Sequence, residues 1–179
     1  VYKRQIKTLK HGTFVRFKPD ATVFETVDFN AETIIARLRE TSFLNKGLKL
    51  YFKDLRKDPQ AEEKLYCSDG GISDYVRYIN KGKNVLYPDP FHFTAQKDDT
   101  IVEVAMQHTD GYSENVFSFV NNIPTPDGGT HDVGFKSGVT KFFNDYAKEN
   151  SSKCKGVNFN GEDFRVGITA VPVSYTHLR

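Results

Sequence analysis

The sequence predicts an α/β (α+β) fold, in which helices and strands are mixed along the chain. Apolar residues recur at helical spacing in residues 72–79 and 131–149. Between these two segments, residues 91–121 alternate apolar and polar side chains in three runs separated by turn-forming Asp and Gly residues. The chain has 179 residues, of which 38% are hydrophobic and 27% are charged, which suffices for one large domain or two small ones.

The N-terminal part of the chain predicts a strand followed by a helix. Thr13–Phe17 alternates apolar and polar residues, as a strand does. Asn30 is a residue type that caps helices, and Gly47 is the predicted C-cap of the same helix. The apolar face of this helix is predicted at Ile34, Ile35, Leu38 and Leu44.

A strand pair and a domain boundary are predicted next. Leu48–Phe52 alternates as a half-buried strand, and Lys64–Cys67 is the predicted returning strand. The charged segment Asp54–Glu63 contains a proline and predicts the turn or hairpin loop between them. The small polar run Ser68-Asp69-Gly70-Gly71 breaks the pattern, and we place a boundary near Cys67–Gly71.

The remaining sequence predicts a sheet with two helices. The first helix is Ile72–Ile79, which Gly82 stops. Three strands follow, at Phe91–Lys97, Thr100–Thr109 and Glu114–Asn121. Their short connectors predict antiparallel pairing of sequence neighbours. A last strand at Gly167–Val173 should join this sheet, with Pro172 as an interruption because proline lacks the N–H that a central strand uses.

The segment from Phe119 to Phe135, FVNNIPTPDGGTHDVGF, joins a strand to a helix through a glycine pair. Thr130 is the predicted N-cap, and His131 and Asp132 fall in the first helical turn. Such a helix start is either a possible anion site or a well-made turn with nothing bound. We favour the turn, because strand-to-helix turns of this kind are common in proteins and phosphate sites are not. The helix that follows carries an aromatic and apolar stripe, which we interpret as core: Phe135, Val139, Phe142, Phe143 and Tyr146.

The composition and residue spacing argue against membrane-spanning, metal-binding and redox functions. The net charge of +2 argues neither for nor against nucleic acid, and no apolar run approaches the length that spans a membrane. Cys67 and Cys154 have no metal or redox spacing, which is typical of free thiols in a reducing compartment. The five histidines share no short metal-binding spacing: His11, His92, His108, His131 and His177.

Four ordered motifs carry a resemblance to a known family. They are GTFVRFKPD at 12–20, RLRE with SFLNKG at 37–47, NNI with GGTH and GF at 121–135, and GEDFR with GITAV at 161–171. Together they resemble the ATPase half of bacterial type IIA DNA topoisomerases, the family formed by the B subunits of DNA gyrase and of topoisomerase IV. The resemblance covers roughly residues 8 to 171 and slightly favours gyrase.

The resemblance implies a domain organisation. Residues 1–67 are similar to the C-terminal part of a GHKL-type ATPase domain, and residues 68–173 to a transducer domain with the ribosomal-S5 domain-2-like fold. Val1–Gln5 and residues 174–179 depart from the family pattern, so we expect both tips to be foreign and exclude them from the fold. Because the chain begins with Val1 and has one methionine, Met106, we expect an internal fragment of a longer protein.

The resemblance also implies ligands and partners. Such proteins bind ATP and Mg²⁺, dimerise on ATP binding, act on double-stranded DNA with a gyrase A-type partner, and are cytoplasmic. Thr13, after Gly12, matches a threonine that helps to bind adenine, and Val15 matches a wall of that pocket, although a core strand role for Val15 is equally consistent. Basic residues that line a DNA cavity in the family correspond to Lys136, Lys141, Lys148 and Arg165. The alternative for the lysines is that they form the solvated face of the helix at 131–149.

The family's catalytic Glu, Mg²⁺-binding Asn and γ-phosphate-sensing Lys match no position here, so we expect no catalytic residue, no metal ligand and no ATP hydrolysis by this fragment alone. A second interpretation is a stand-alone, non-enzymatic nucleic-acid-binding module with the S5-like fold, although residues 8–66 have no place in it. A third is a mismatch-repair or chaperone relative, which would lack the NNI and GGTH segment at residues 121–131.

Overall fold

The computed structural model describes residues 12–13, 19–54, 56, 60, 62–150 and 159–176. The helices are α1 Ala31–Leu44, α2 Ile72–Ile79 and α3 Thr130–Glu149. The strands are β1 Leu50–Phe52, β2 Lys64–Tyr66, β3 Phe91–Lys97, β4 Thr100–His108, β5 Asn115–Val116, β6 Phe119–Val120, β7 Ile123–Pro124 and β8 Ile168–Tyr175. The predicted α/β (α+β) fold class is confirmed.

A six-stranded mixed sheet forms the centre of the described chain, with the order β3-β4-β8-β6-β7 and with β5 also paired to β8. β4 pairs antiparallel with both β3 and β8, whereas β5 and β6 run parallel to β8. β8 is buried along its whole length because it has partners on both sides. β1 and β2 form a separate antiparallel pair.

The two faces of the sheet are covered by different helices. One face packs against α2 and the end of α1, and its core contains Leu44, Ile72, Val76, Ala105, Phe119, Val171, Val173 and Tyr175. α3 lies against the other face, where its Val139 is buried. The structure therefore has a helix layer, a sheet and a second helix layer, a standard way to bury both faces of a sheet.

Local signals predicted α1 well at its start and less well at its end. The Asn30 side chain accepts hydrogen bonds from the backbone N–H groups of Glu32 at 2.8 Å and Thr33 at 3.3 Å, so the predicted N-cap is confirmed. The C-cap is Asn45, and Gly47, with φ +79°, lies two residues beyond it. The predicted cap at Gly47 was wrong because the Asn45 side chain and N–H already bond the Thr41 carbonyl oxygen.

The hairpin β1–β2, helix α2 and hairpin β3–β4 are confirmed. The prediction of one strand at Glu114–Asn121 beside β4 was wrong: the segment forms two short strands, and β8 lies between them and β4. The break between β5 and β6 lies at Phe117–Ser118, in register with Val171–Pro172 of β8, because Pro172 has no N–H to donate to this ladder. The strand predicted at Thr13–Phe17 lies largely outside the described residues.

β8 also runs further than predicted, through Pro172 to Tyr175. The carbonyl oxygens of Ala170 and Ser174 accept from Phe117 and Asn121 at 2.9 Å each, so even-numbered residues of β8 point their backbone groups towards β5 and β6. Pro172 therefore faces the gap between those two strands, where its missing N–H leaves one position of the parallel ladder without a hydrogen bond.

Candidate functional site

The glycine-pair loop before α3 is closed by its own side chains. Gly129 is the N-cap of α3, with φ +154° and no side-chain hydrogen bond, and Thr130 is the first helical residue. Thr130 was predicted as the N-cap, and this is wrong by one position because the glycine pair supplies the change of direction. The His131 ring lies over Gly129, where an added Cβ would sit 2.9 Å from its Cε1 atom.

Hydrogen bonds fix the orientation of His131. Its Nε2 lies 2.9 Å from the Thr125 hydroxyl, and that hydroxyl donates to the Ser118 carbonyl oxygen at 3.0 Å. The Thr125 hydroxyl also lies 2.8 Å from the Ser118 Oγ. The histidine therefore secures the loop between β7 and α3.

A network of four charged residues surrounds the same helix start. Lys136 Nζ lies 3.1 Å from Asp132 and 3.3 Å from Glu114, and Arg165 Nε lies 2.9 Å from Glu114. Burial raises the pKa of Glu114, but its bonds to Arg165 and Lys136 outweigh burial and bring the pKa below its ordinary value. Because the Asp132 carboxylate already supplies negative charge at the start of α3, the geometry favours the turn over the anion site.

The four predicted DNA contacts separate into two pairs. Lys136 and Arg165 are neutralised in this network, and the Arg165 side chain is only 18% exposed. Lys141 and Lys148 lie two turns apart on α3 and are both exposed. Lys148 is 3.8 Å from Asp145, and the described residues give Lys141 no ion-pair partner.

The predicted adenine-binding residues lie near the edge of the described chain. Gly12 and Thr13 are exposed, and an added Cβ at Gly12 would meet nothing within 4 Å. Val15 lies outside the described residues. A cleft of about 680 Å³ in this half is lined by residues such as Asp28, Ile35 and Arg56, and it includes neither Gly12 nor Thr13. The described residues therefore do not form an adenine pocket by themselves.

Sequence reasoning missed an apolar cleft of about 770 Å³ between α3 and the sheet. Its walls are residues of β3, β4 and β8 together with Phe135, Val139, Phe142 and Phe143 of α3. The α3 stripe was predicted as core, but Phe142 is 65% and Tyr146 53% exposed because α3 covers only part of this face. A signal for this space was present in the sequence, since Gly134 and Gly138 lie one turn apart within the stripe.

A second missed feature joins α1 to the sheet. Arg37 donates to the Asn122 carbonyl oxygen at 3.0 Å, and the Asn122 side chain donates to Asn45 Oδ1 at 2.9 Å. The Phe43 ring stacks on Tyr75 with centroids 5.1 Å apart. The Asn121-Asn122 turn thus contacts both halves of the chain.

Within the described ranges, the structure has neither a cluster of metal-ligating side chains nor a membrane-spanning helix. No group of three or more His, Cys, Asp or Glu side chains there could hold a metal ion. No helix in that part of the chain has the length and apolar character needed to cross a membrane.

Comparison with known proteins identifies the family. The sequence profile described as DNA gyrase B matches residues 71–177, from the N-cap of α2 to the residues just after β8. The chain belongs to the DNA gyrase B family. The DNA gyrase B subunit of Halalkalibacterium halodurans is 43% identical over 92% of this chain and 26% of its own length. The DNA topoisomerase 4 B subunit of Staphylococcus aureus is 47% identical over 92% of this chain and 25% of its own length.

The fold has the same relatives. The 43K ATPase domain of Thermus thermophilus gyrase B, solved in complex with an aminocoumarin, superposes with a TM-score of 0.76 and 36% identity. The match covers 89% of this chain and 43% of that one. The chain therefore spans about a quarter of the length of the curated gyrase B family members it matches.

Proposed function

We propose that this chain is part of the ATPase component of a bacterial type IIA DNA topoisomerase, which couples ATP binding and hydrolysis to clamp closure and DNA strand passage. The observation that carries the proposal is similarity at 43% to 47% identity over 92% of the chain to proteins named as B subunits of DNA gyrase and topoisomerase 4. We infer the gyrase type from the matching DNA gyrase B profile, and a cytoplasmic location, homodimerisation and a gyrase A-type partner from the same relatives.

A domain division is part of this proposal. Residues 1–67 would be the end of a GHKL ATPase domain, and residues 68–173 a transducer that carries the nucleotide state towards DNA. The contacts of α1 with α2 and with the Asn121-Asn122 turn would connect such a transducer mechanically to the ATPase segment before residue 68. The alternative of a stand-alone S5-like module is not favoured, because the relatives also align with the segment before residue 68.

A chimeric protein tests the proposed function. Residues 8–171 replace the aligned segment of H. halodurans gyrase B, and ATP-dependent supercoiling is measured with the matching gyrase A. We expect supercoiling to be retained. A soluble, folded chimera that binds DNA and its partner but never supercoils would contradict the proposal.

ATP binding is proposed for Gly12, Thr13 and Val15, with Mg²⁺ held by residues outside this chain. Thr13→Ala in the same chimera should raise the ATP concentration needed for half-maximal turnover about fivefold, because one hydrogen bond to the base is lost. Thr22→Ala is the matched control, since within the described chain the Thr22 hydroxyl bonds only Asp20, at 2.7 Å. The 179-residue chain alone should not hydrolyse ATP above background.

DNA contact is proposed for Lys141 and Lys148 in particular. Both are exposed on α3, and the Asp145 carboxylate beside Lys148 is 3.8 Å away, whereas Lys136 and Arg165 are only partly exposed and lie 3.3 Å and 2.9 Å from Glu114. Lys141→Gln with Lys148→Gln should reduce the slope of log affinity against log salt by about two for duplex DNA of any sequence. Lys81→Gln, an exposed lysine after α2, is the control and should leave the slope unchanged.

A further inference from the structure

The sequence motif at residues 37–47, RLRE with SFLNKG, forms the second half of α1 and the turn after it. The residues proposed to bind ATP or DNA lie outside this motif. Its side chains nevertheless contact residues beyond the proposed boundary near residue 67. Within the described chain these pairs are Arg37 with Asn122, Arg39 with Tyr78, Glu40 and Phe43 with Tyr75, and Asn45 with Asn122. The motif is therefore the part of α1 that faces the proposed transducer.

Arg37 holds two groups at once. Its Nη2 atom donates to the Asn122 carbonyl oxygen at 3.0 Å, and its Nη1 atom bonds the Glu40 carboxylate on the next turn of α1. A guanidinium group presents several N–H donors in one rigid plane, which a lysine ammonium does not. The Glu40 carboxylate therefore orients the arginine, and the arginine fixes the position of the Asn122 carbonyl group relative to α1.

Asn122 makes a second contact with α1 through its side chain. Asn121 and Asn122 form the two-residue turn between β6 and β7, and both have positive φ, +49° and +66°. Glycine is the residue that most often fills the second position of such a turn. Asn122 has instead a side-chain amide, which donates to Asn45 Oδ1 at 2.9 Å. The turn itself does not require this amide, so the contact with α1 explains its position.

The two contacts hold Asn122 from separate points on α1. Arg37 and Asn45 are about two helical turns apart, and both bond Asn122. The Asn45 side chain is itself fixed, because its Nδ2 atom donates to the Thr41 carbonyl oxygen at 2.9 Å. Two attachment points resist rotation of the sheet against the helix, which a single point does not.

An aromatic cluster supplies the apolar part of this contact. The Phe43 ring stacks on Tyr75 with centroids 5.1 Å apart, and its centroid lies 5.6 Å from that of Tyr78. Burial raises the pKa of Tyr75 to about 12, and the Glu40 carboxylate 3.5 Å from its hydroxyl adds to the rise. The hydroxyl therefore keeps its proton at neutral pH. Apolar burial holds the two halves together, while the directional bonds to Asn122 set the angle between them.

We propose that Arg37 and Asn122 are positioning residues for energy coupling, and that they transmit movement of α1 to the sheet. This inference rests on the proposed function, in which the segment before residue 68 belongs to the ATPase domain. Neither residue is among those proposed to bind ATP or DNA. Loss of either contact should therefore leave nucleotide turnover in place but separate it from strand passage, because movement passes between two bodies only through the contacts that join them.

The chimera with H. halodurans gyrase B tests this separation. Arg37→Lys removes the fork that bonds Glu40 and Asn122 together, and Asn122→Gly removes the amide while suiting the turn conformation. We expect each variant to introduce about fivefold fewer supercoils per ATP hydrolysed, a factor that corresponds to the loss of one hydrogen bond, and to hydrolyse ATP within about twofold of the unmutated chimera. A merely structural role would not change this ratio, since it would reduce both activities together.

Arg77→Lys is the matched control. The Arg77 side chain is 46% exposed against 47% for Arg37, and it also pairs with an acidic residue three positions away, Asp74. Its other partner, Asp89, lies in the same half of the chain, so supercoils per ATP should stay unchanged. Unchanged coupling in Arg37→Lys or in Asn122→Gly, a parallel fall of hydrolysis and supercoiling, or an equal loss in Arg77→Lys would overturn the inference. An unmutated chimera that does not supercoil would instead contradict the proposed function itself.

Discussion

Gly167 lies where two backbone segments of this protein approach each other closely. It has φ +73°, and an added Cβ would lie 2.6 Å from the Gly111 carbonyl oxygen and closer still to that of Thr109. Thr109 in turn donates its N–H to the Gly167 carbonyl oxygen at 2.9 Å. Both the backbone conformation and the space therefore require glycine immediately before β8.

Gly167→Ala should lower the free energy of unfolding by about 2–4 kcal/mol, because strain and a backbone collision add at one position. Urea denaturation followed by circular dichroism measures the change. Gly12→Ala is the control, as nothing lies within 4 Å of its added Cβ. Equal stability of the two variants would show that the turn relaxes without cost.

Asn80, Gln107 and Thr169 form a buried polar network between α2, β4 and β8. Asn80 donates to Gln107 Oε1 at 3.0 Å and accepts from the Thr169 hydroxyl at 2.7 Å. Gln107 in turn donates to the Tyr87 carbonyl oxygen at 2.8 Å. The three residues are at most 4% exposed, so water cannot replace a lost partner.

Asn80→Ala should cost about 2–3 kcal/mol, because it leaves polar atoms of Gln107 and Thr169 buried and unpaired. Asn84→Ala removes an exposed hydrogen bond to Asp110 and should cost less than about 1 kcal/mol. Guanidinium unfolding of the two variants compares these losses directly. A smaller effect at Asn80 than at Asn84 would contradict the account of the network.

At the scale of elements, α2 begins with an unusual cap. Its N-cap is Gly71, with φ +62°, which has no side chain to accept a hydrogen bond. Ser68 Oγ accepts from the Gly71 N–H at 3.0 Å and donates to Asp74 at 2.8 Å, while Asp74 accepts from the Gly70 N–H at 2.9 Å. An added Cβ at Gly70 would collide with the Asp74 carboxylate, so the glycine pair makes this cap possible.

This cap gives α2 a pH dependence. Burial raises the pKa of Asp74, but hydrogen bonds from Ser68, Gly70 and Arg77 outweigh it and the pKa lies below its ordinary value. A pKa depressed in the folded state stabilises the fold at neutral pH, and this stabilisation is lost as the pH falls from about 4 through the folded pKa.

Asp74→Asn should therefore lower stability at neutral pH by about 1 kcal/mol and flatten the loss of stability below about pH 4. Thermal unfolding at a series of pH values measures both effects. Asp89→Asn is the matched control, because Asp89 bonds the same Arg77 at 3.0 Å but is 81% exposed. If both variants lose stability in the same way below about pH 4, the cap is not the source of the pH dependence.

Elements defined by local signals were predictable, and those defined by distant pairing were not. Asn30 carries its capping signal in its own side chain, and the β3–β4 hairpin has a two-residue connector. The position of β8 between β4 and β6 depends on contacts far apart in sequence, which periodicity does not encode. The periodicity of α3 likewise gave its apolar face but not the extent of sheet beneath it.

At the scale of the whole molecule, the two halves of the chain share one core. Leu44 of α1 is 2% exposed and packs with Ile72 and Val76 of α2 against the sheet. The proposed domain boundary near residue 67 therefore lies between two segments that pack into the same hydrophobic core. The proposed site residues followed the resemblance, but the ion pairs of Lys136 and Arg165 with Glu114 depend on how α3 and the segments before β5 and β8 come together in the fold.

Leu44→Ala should lower the free energy of unfolding by about 2–4 kcal/mol and should reduce hydrogen-exchange protection of β8 amides as well as of α1. Leu48→Ala, at a leucine that is 41% exposed, should change both quantities little. Exchange measured by NMR reports each strand separately. Unchanged protection in β8 would mean that the halves unfold independently.

The position of β8 in the sheet also affects how the chain is made. β8 lies between β4 and β6 in the sheet but is synthesised after both of them. The two strands therefore cannot become part of one sheet while the ribosome is still translating α3. During that interval the hairpins β3–β4 and β6–β7 have unpaired strand edges on the nascent chain. Contacts so distant in sequence slow the search for the native topology and prolong exposure to aggregation. We therefore expect chaperones to bind the nascent chain mainly at this stage of synthesis.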